Sequence, residues 1–348
     1  MDEVRFAIIG VGGIGRAHGR AMLNTPRARI VALCDIVPSQ MDIFAKEMSE
    51  PAKFYTDFEE LCKDPEVDAI FVGTPNQVHV PAALAAVRNG KHVLSTKPLS
   101  DSAEAAARLV DEAEAAGVVN MMSLTMRFSD QVQYLGKLCK SGEFGELYYA
   151  RARSVRRSGI PDWNLGFVEE GGGAFRDMGV HVLDSAWWLL GMPKPVSVTG
   201  VGGAKFGPRG QGYWKFAQPP EAYWSRFAAD DYAGGFIRFD DGTGLQVESF
   251  WASHQPEEAQ LEFFGTEAGA KLKPLTLYRT VNGAPQDTTV EIPERPNAMG
   301  RGILGHFMDC ILDGVPCEAP LRHGLIVQEM MEAMLKSAET GKEIRFDN

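Results

Sequence analysis

Residues 6–15 read F-A-I-I-G-V-G-G-I-G, an apolar run that ends in glycines spaced G-x-G-x-x-G at Gly10, Gly12 and Gly15. Few stretches this short restrict a fold so strongly. The run reads as a buried strand, and helical spacing begins beyond the glycines, so the segment is a strand, a tight turn and a helix. Gly10 permits the turn, Gly12 lets a pyrophosphate approach the backbone, and Gly15 lets helix and strand pack closely. Gly13 and Ile14 lie at the helix start, where free N–H groups and the positive dipole end face an anion. Asp35 ends the next apolar run, twenty residues after Gly15. A carboxylate there accepts hydrogen bonds from both ribose hydroxyls of a dinucleotide and repels a 2′-phosphate. Ile36, not an arginine, follows it. The expected cofactor is therefore NAD rather than NADP, contacted by Gly10, Gly12, Gly13, Ile14, Gly15, Asp35 and Ile36.

Apolar runs continue at Arg29–Cys34, Val67–Val72, His92–Ser95 and Val118–Met122, with helical stretches at Val80–Asn89 and Ser102–Ala116. Strands alternating with helices predict a parallel sheet covered on both faces. Near residue 125 the pattern changes. Strand-like stretches then follow one another at 147–155, 196–201, 233–239, 244–251 and 260–264, and Asp241-Gly242 marks a hairpin turn. The expected fold class is α/β: a dinucleotide-binding domain of the doubly wound Rossmann type over 1–125, and a second α/β domain with a large, mainly antiparallel sheet over 126–348. The segment 202–228, rich in Gly, Pro and aromatics, is expected to cover a pocket or to contact another subunit.

With 348 residues and 45% hydrophobic composition, the chain can bury a large core. Its net charge of −11 repels phosphate backbones and anionic lipid, so neither nucleic acid nor membrane is expected as a partner. The five cysteines include no C-x-x-C, which fits a reducing cytoplasm better than a disulfide framework, and no metal site is expected. The N-terminal residues lack the pattern of a signal peptide.

Two further stretches carry chemistry. F-V-G-T-P-N-Q-V-H places Thr74, Pro75 and Asn76 at the carboxyl end of a parallel strand, where open α/β sheets bind ligands, with His79 starting the next helix. V-L-S-T-K-P-L sets Lys97 after another strand on the same edge, stiffened by Pro98. An ammonium there stabilises charge on a substrate oxygen. G-G-G-A-F-R-D-M-G-V-H-V-L-D, residues 171–184, puts Asp177 four residues before His181. On a helical turn the two share a face, and a carboxylate beside an imidazole suits proton abstraction from an alcohol.

Together, I-I-G-V-G-G-I-G, T-P-N-Q-V-H, the strand-end K-P, R-F at Arg127–Phe128, G-G-G-A-F-R-D-M-G-V-H and a late strand ending near Trp251 resemble the glucose–fructose oxidoreductase/inositol dehydrogenase (Gfo/Idh/MocA) family over essentially the whole chain. The resemblance implies that Lys97 matches the family's active-site lysine and that Asp177 and His181 match its Asp-x-x-x-His pair. It places Thr74, Asn76 and His79 along the cofactor. The family's motif is usually E-K-P, whereas Thr96 precedes Lys97 here, so Thr96 is a cofactor contact without charge. R-S-V-R-R-S-G-I-P-D-W-N is similar to sugar-active members. Arg156, Arg157 and Trp163 of this stretch, and Arg127 of the R-F motif, therefore join Lys97, Asp177 and His181 as expected substrate contacts, because guanidinium forks bind hydroxyls and an indole stacks on a sugar ring. The implied reaction is hydride transfer from a ring carbinol of a sugar, glycoside or cyclitol to NAD. Rival readings are a redox-neutral glycosidase or lyase on the same fold, and a catalytically silent sugar-sensing regulator. A homodimer or homotetramer through the second domain's sheet is expected.

Overall fold

The computed structural model describes residues 2–100, 102–293, 297 and 299–346. The chain divides into two compact units, Met1–Phe128 with Arg295–Gln328, and Ser129–Glu294 with Glu329–Asn348.

In the first unit the strands are β1 (Val4–Ile9), β2 (Ala28–Cys34), β3 (Lys53–Tyr55), β4 (Ala69–Val72), β5 (His92–Ser95) and β6 (Asn120–Met122). Among the described residues they form one sheet in the order β3-β2-β1-β4-β5-β6, paired in parallel throughout. The helices between them are α1 (Gly13–Leu23), α2 (Pro38–Ala45), α3 (Phe58–Cys62), α4 (Asn76–Arg88) and α5 (Ala103–Ala116). Phe6, Ile8, Leu33, Phe71 and Leu94 have no exposed surface. Burying each such side chain contributes about 2 kcal/mol, which is why the strands read as unbroken apolar runs. The strand order reverses between β1 and β4, so the crevice beyond their carboxyl ends lies beside Gly10 and Gly73.

Arg295–Gln328 belongs to this unit as well. After α6 (Asp130–Lys140), α7 (Val180–Leu189) and α8 (Glu221–Ser225) comes α9 (Gly305–Leu312). On α9, Phe307 is fully buried, with its ring centroid 6.1 Å from that of Phe6 on β1. Arg27 pairs with Asp313 at 2.9 Å and Arg322 with Glu114 at 2.7 Å. The buried apolar face of α9 fixes its place, since exposed pairs of this kind add little energy.

In the second unit, β7 (Leu147–Val155), β8 (Pro195–Gly203), β9 (Tyr232–Phe239), β10 (Gly244–Phe250), β11 (Glu258–Gly265), β12 (Ala268–Lys271), β13 (Thr276–Val281), β14 (Ala284–Thr289) and β15 (Ile344–Arg345) form one sheet among the described residues. Its order is β14-β13-β12-β11-β7-β10-β9-β8-β15. The β7–β10 pair is parallel and the other pairs are antiparallel. The sheet is mainly antiparallel, as its run of strands without crossover helices implies. Ala150, Ala152, Leu245, Val247, Ile237 and Leu261 are fully buried, while alternate residues of the same strands are half-exposed. Helix α7, buried along most of its length, packs against β7, β10 and β11.

Candidate functional site

The glycine loop has the shape its sequence demands. Gly10 sits at φ +86°, and a Cβ there would lie 2.7 Å from the carbonyl carbon of Gly73. A Cβ on Gly15 would lie 1.9 Å from the Gly10 oxygen, so α1 reaches β1 only because that position is bare. At Gly12 and Gly13 the same atom would meet nothing within 4 Å. This is the open cradle that a pyrophosphate requires at a helix N-terminus. Asp35 follows β2, and its Oδ2 accepts the Val11 N–H at 2.8 Å and its Oδ1 the Val37 N–H at 2.9 Å. These bonds fix the carboxylate while leaving lone pairs for ribose hydroxyls. Ile14 and Ile36 are exposed apolar side chains at 41% and 86%.

Sequence reasoning missed His18 of α1. It is buried, with Nδ1 3.1 Å from the Ile14 oxygen and Nε2 2.8 Å from Ser123 Oγ, and it stacks on Phe71. Burial lowers its pKa to about 4, so it is neutral and braces the start of α1.

Thr74 follows β4, and its Oγ1 is buried without a hydrogen-bond partner among the described residues. A buried hydroxyl left unpaired is costly, and a ligand lying over the strand end supplies what it lacks. The open cradle, the fixed carboxylate and this hydroxyl all fit a dinucleotide. Pro75 is exposed and Asn76 half-buried. His79 is buried, with Nε2 2.7 Å from the Thr74 oxygen and Nδ1 2.8 Å from the Pro98 oxygen. Its ring ties the Thr74 loop to the Lys97–Pro98 turn. Thr96 is buried, and its N–H donates to the Val72 oxygen at 2.9 Å. Lys97 is half-buried next to it, and the Lys97–Pro98 peptide is cis.

Arg127 needs correction as a substrate contact. Its side chain is fully buried, donating to the Glu318 carbonyl at 2.5 Å and lying 3.1 Å from His323 Nδ1. Burial and the Arg127 charge together lower the His323 pKa to about 4. The guanidinium holds the returning segment in place. An arginine beside a motif looks the same in sequence whether it faces ligand or core.

In the second unit, G-G-G-A-F begins a turn of π-helical geometry, Phe175–Gly179, that runs into α7. A Cβ on Gly173, at φ +116°, would lie 2.0 Å from Asp230 Oδ1, so only glycine fits. The Asp230 backbone oxygen accepts the Ala174 N–H, and its Oδ2 accepts the Phe175 N–H at 2.9 Å. Burial pushes the Asp230 carboxyl up to about 6. This anchored turn presents Asp177, whose Oδ2 accepts the indole N–H of buried Trp251 at 3.0 Å. His181 is half-buried in the first turn of α7. Four residues at α-helical pitch overshoot one turn by about 40°, and the wider π turn reduces that offset.

Arg156 and Trp163 are brought together by Trp214, a residue of the aromatic 202–228 segment. The Arg156 guanidinium lies 5.1 Å from the Trp214 ring centroid, and Trp163, 57% exposed, stands edge-on to Trp214 at 5.8 Å. The segment bearing Trp214 is anchored from below. Tyr213 is fully buried in a cluster with Ile160, Met178 and Trp251. Asp231 Oδ2 accepts three backbone N–H groups, from Lys205, Phe206 and Gly207.

Residues 4–124 match the oxidoreductase family with an NAD-binding Rossmann fold, and residues 132–271 match the GFO/IDH/MocA C-terminal domain. D-glucoside 3-dehydrogenase of Escherichia coli (strain K12) is 30% identical over 358 residues, covering 99% of this chain and 98% of that protein. The scyllo-inositol 2-dehydrogenase (NAD(+)) of Bacillus subtilis (strain 168) is 26% identical over 317 residues, covering 90% of this chain and 87% of its own. In fold, levoglucosan dehydrogenase in complex with NADH superposes with a TM-score of 0.85 at 21% identity, over 99% of this chain and 100% of that one. The motifs, both sheets and these matches agree: the chain belongs to the Gfo/Idh/MocA oxidoreductase family and carries its NAD-binding Rossmann domain.

Proposed function

We propose that the chain is an NAD-dependent dehydrogenase that oxidises a ring carbinol of a sugar, glycoside or cyclitol. The observation that carries this reading is Asp177, fixed by the Trp251 indole four residues before His181. A base prepared in this way serves a reaction in which an alcohol loses its proton. Relatives named for glucoside and inositol oxidation, matched over nine-tenths or more of the chain, support the substrate class.

Proton abstraction from the hydroxyl is assigned to His181, with Asp177 steadying the imidazolium, and stabilisation of developing oxygen charge to the Lys97 ammonium. The glycine loop binds the pyrophosphate, Asp35 the ribose, and Thr74, Pro75, Asn76 and Thr96 the nicotinamide half. When bound, NAD supplies the hydride acceptor. Arg156 and Trp163, joined through Trp214, hold the sugar. The soluble partner in this reading is a small carbohydrate, and no helix among the described residues is long and apolar enough to cross a membrane.

The test is a panel of hexoses, glycosides and inositols with NAD, followed at the NADH absorbance band. We expect steady NADH formation with at least one substrate. His181→Ala and Lys97→Ala are each expected to lower turnover on the order of a hundredfold or more while NAD affinity stays near the parent value. Substrate turnover without NADH, or parent-like rates in either variant, would overturn the corresponding assignment.

A further inference from the structure

His306, Cys310 and Cys317 form a cluster that this reaction does not use. His306 and Cys310 are one turn apart on α9 and so share a face. The chain then leaves α9 through D-G-V-P and returns Cys317 to that face. One donor atom from each residue lies within 4.8 Å of the other two. Cys310 Sγ is 3.5 Å from His306 Nε2. On a tetrahedral ion with metal–sulfur and metal–nitrogen bonds of about 2.3 and 2.0 Å, a sulfur and a nitrogen ligand stand about 3.5 Å apart, and two sulfurs about 3.8 Å. The His306–Cys310 pair already has this spacing, and the Cys317 donor lies within 4.8 Å of both.

Their surroundings suit an ion. Cys310 is buried, and His306 and Cys317 are half-buried. The Phe128 ring lies 5.4 Å from that of His306 and shields one side. Cys317 Sγ lies 3.7 Å from the Asn120 oxygen. Asn120 is the first residue of β6, so the cluster is at the amino end of that strand, whereas the glycine loop and Lys97 follow carboxyl ends. The Glu318 N–H now donates to His306 Nε2 at 2.8 Å, a bond that coordination through Nε2 would replace.

We propose that His306, Cys310 and Cys317 bind one soft divalent cation of the zinc class, with the fourth position left to water. Two thiolates and an imidazole select such an ion over magnesium or calcium. On binding, the two thiols release their protons and no electrons move. The ion pins the 313–320 connection to α9, a role separate from hydride transfer.

The experiment uses the full-length, reduced, metal-free protein titrated with Co²⁺. Thiolate-to-cobalt charge-transfer absorption should saturate at one equivalent, and Zn²⁺ should displace it. Cys310→Ser and Cys317→Ser should each abolish the band, while Cys139→Ser should keep it. His306→Gln should weaken Zn²⁺, measured against a chelating dye, on the order of a hundredfold. Circular dichroism and NAD binding check that each variant is folded. If Cys310→Ser or Cys317→Ser fails to fold, the parent's dye-competition stoichiometry with Zn²⁺ and its number of metal-protected thiols replace that arm. Absence of a band at one equivalent, a band surviving both serine variants, or loss of the two thiols to a disulfide while Zn²⁺ is present would each overturn the proposal.

Discussion

Asp230 shows how one buried carboxyl positions others. Its backbone and side-chain oxygens hold the two amides that open the turn bearing Asp177. The cost of this placement depends on pH. Burial raises its folded-state pKa to about 6, above the ordinary 3.8. Between these values the folded chain keeps a proton that the unfolded chain has released, so stability from this group falls as pH rises. It is full below the lower value and gone above the upper one. Asp230→Asn keeps an acceptor for the Phe175 N–H and removes the charge. Relative to the parent, we expect the variant to gain up to roughly 3 kcal/mol between about pH 4 and about pH 7. Chemical unfolding of both proteins at each pH measures this. A constant difference would show that the carboxyl is not titrating in that window.

At the scale of elements, legibility followed burial. The runs that became β1, β2, β4 and β5 were plain because parallel strands are apolar on both faces. β3 was invisible: Lys53 and Phe54 are exposed, and three edge residues carry no period. β13 and β14 form a largely exposed hairpin and left equally little trace. The glycine loop and the glycines before the Asp177 turn could be read because backbone geometry dictates their residue type. The particular contacts of Trp251 with Asp177 and of Trp214 with Arg156 could not, since they join residues far apart in the chain. The 202–228 segment contains short helical turns rather than structureless backbone. Lys215 and Phe216 adopt positive φ, and Phe216 is 78% exposed. The Phe216 N–H donates to Ser158 Oγ at 2.8 Å, and that hydroxyl donates to the Tyr213 oxygen. The turn is thus held where bulky residues rarely sit, with Trp214 at its start. If Trp214 orders Arg156 and Trp163 for sugar binding, Trp214→Ala should raise the sugar KM about tenfold, with kcat and the NAD KM nearly unchanged. Trp214→Phe should recover part of the loss. Steady-state kinetics against both substrates decides this, and an equal fall in kcat would move Trp214 out of a binding role.

At the scale of the whole molecule, the second unit's sheet carries the remaining prediction. One of its faces is apolar and packed on α7. On the other, Tyr149 stacks near Phe236 at 6.0 Å and meets Phe264 edge-on at 5.6 Å, with the Arg151 guanidinium 5.2 Å from the Phe264 ring. Arg153 pairs with Glu258 and Glu262 beside them, and Arg238 lies over Phe236. Mixed charges around an aromatic centre can meet their own copies across a twofold axis, as an isologous contact requires. Strands from β12 through β8 make a patch six strands wide in this order. At about 4.8 Å per strand and seven residues of about 3.3 Å, it measures roughly 29 by 23 Å, near the roughly 800 Å² per partner of a stable interface. We therefore expect a homodimer or homotetramer built through this face. Light scattering after size exclusion should give the mass of the multiple. Tyr149→Asp combined with Phe264→Asp should give a monomer that still binds NAD, since the glycine loop belongs to the other unit. A parent that runs as a monomer at assay concentrations, or a double variant that keeps the parent's mass, would rule out assembly through this face.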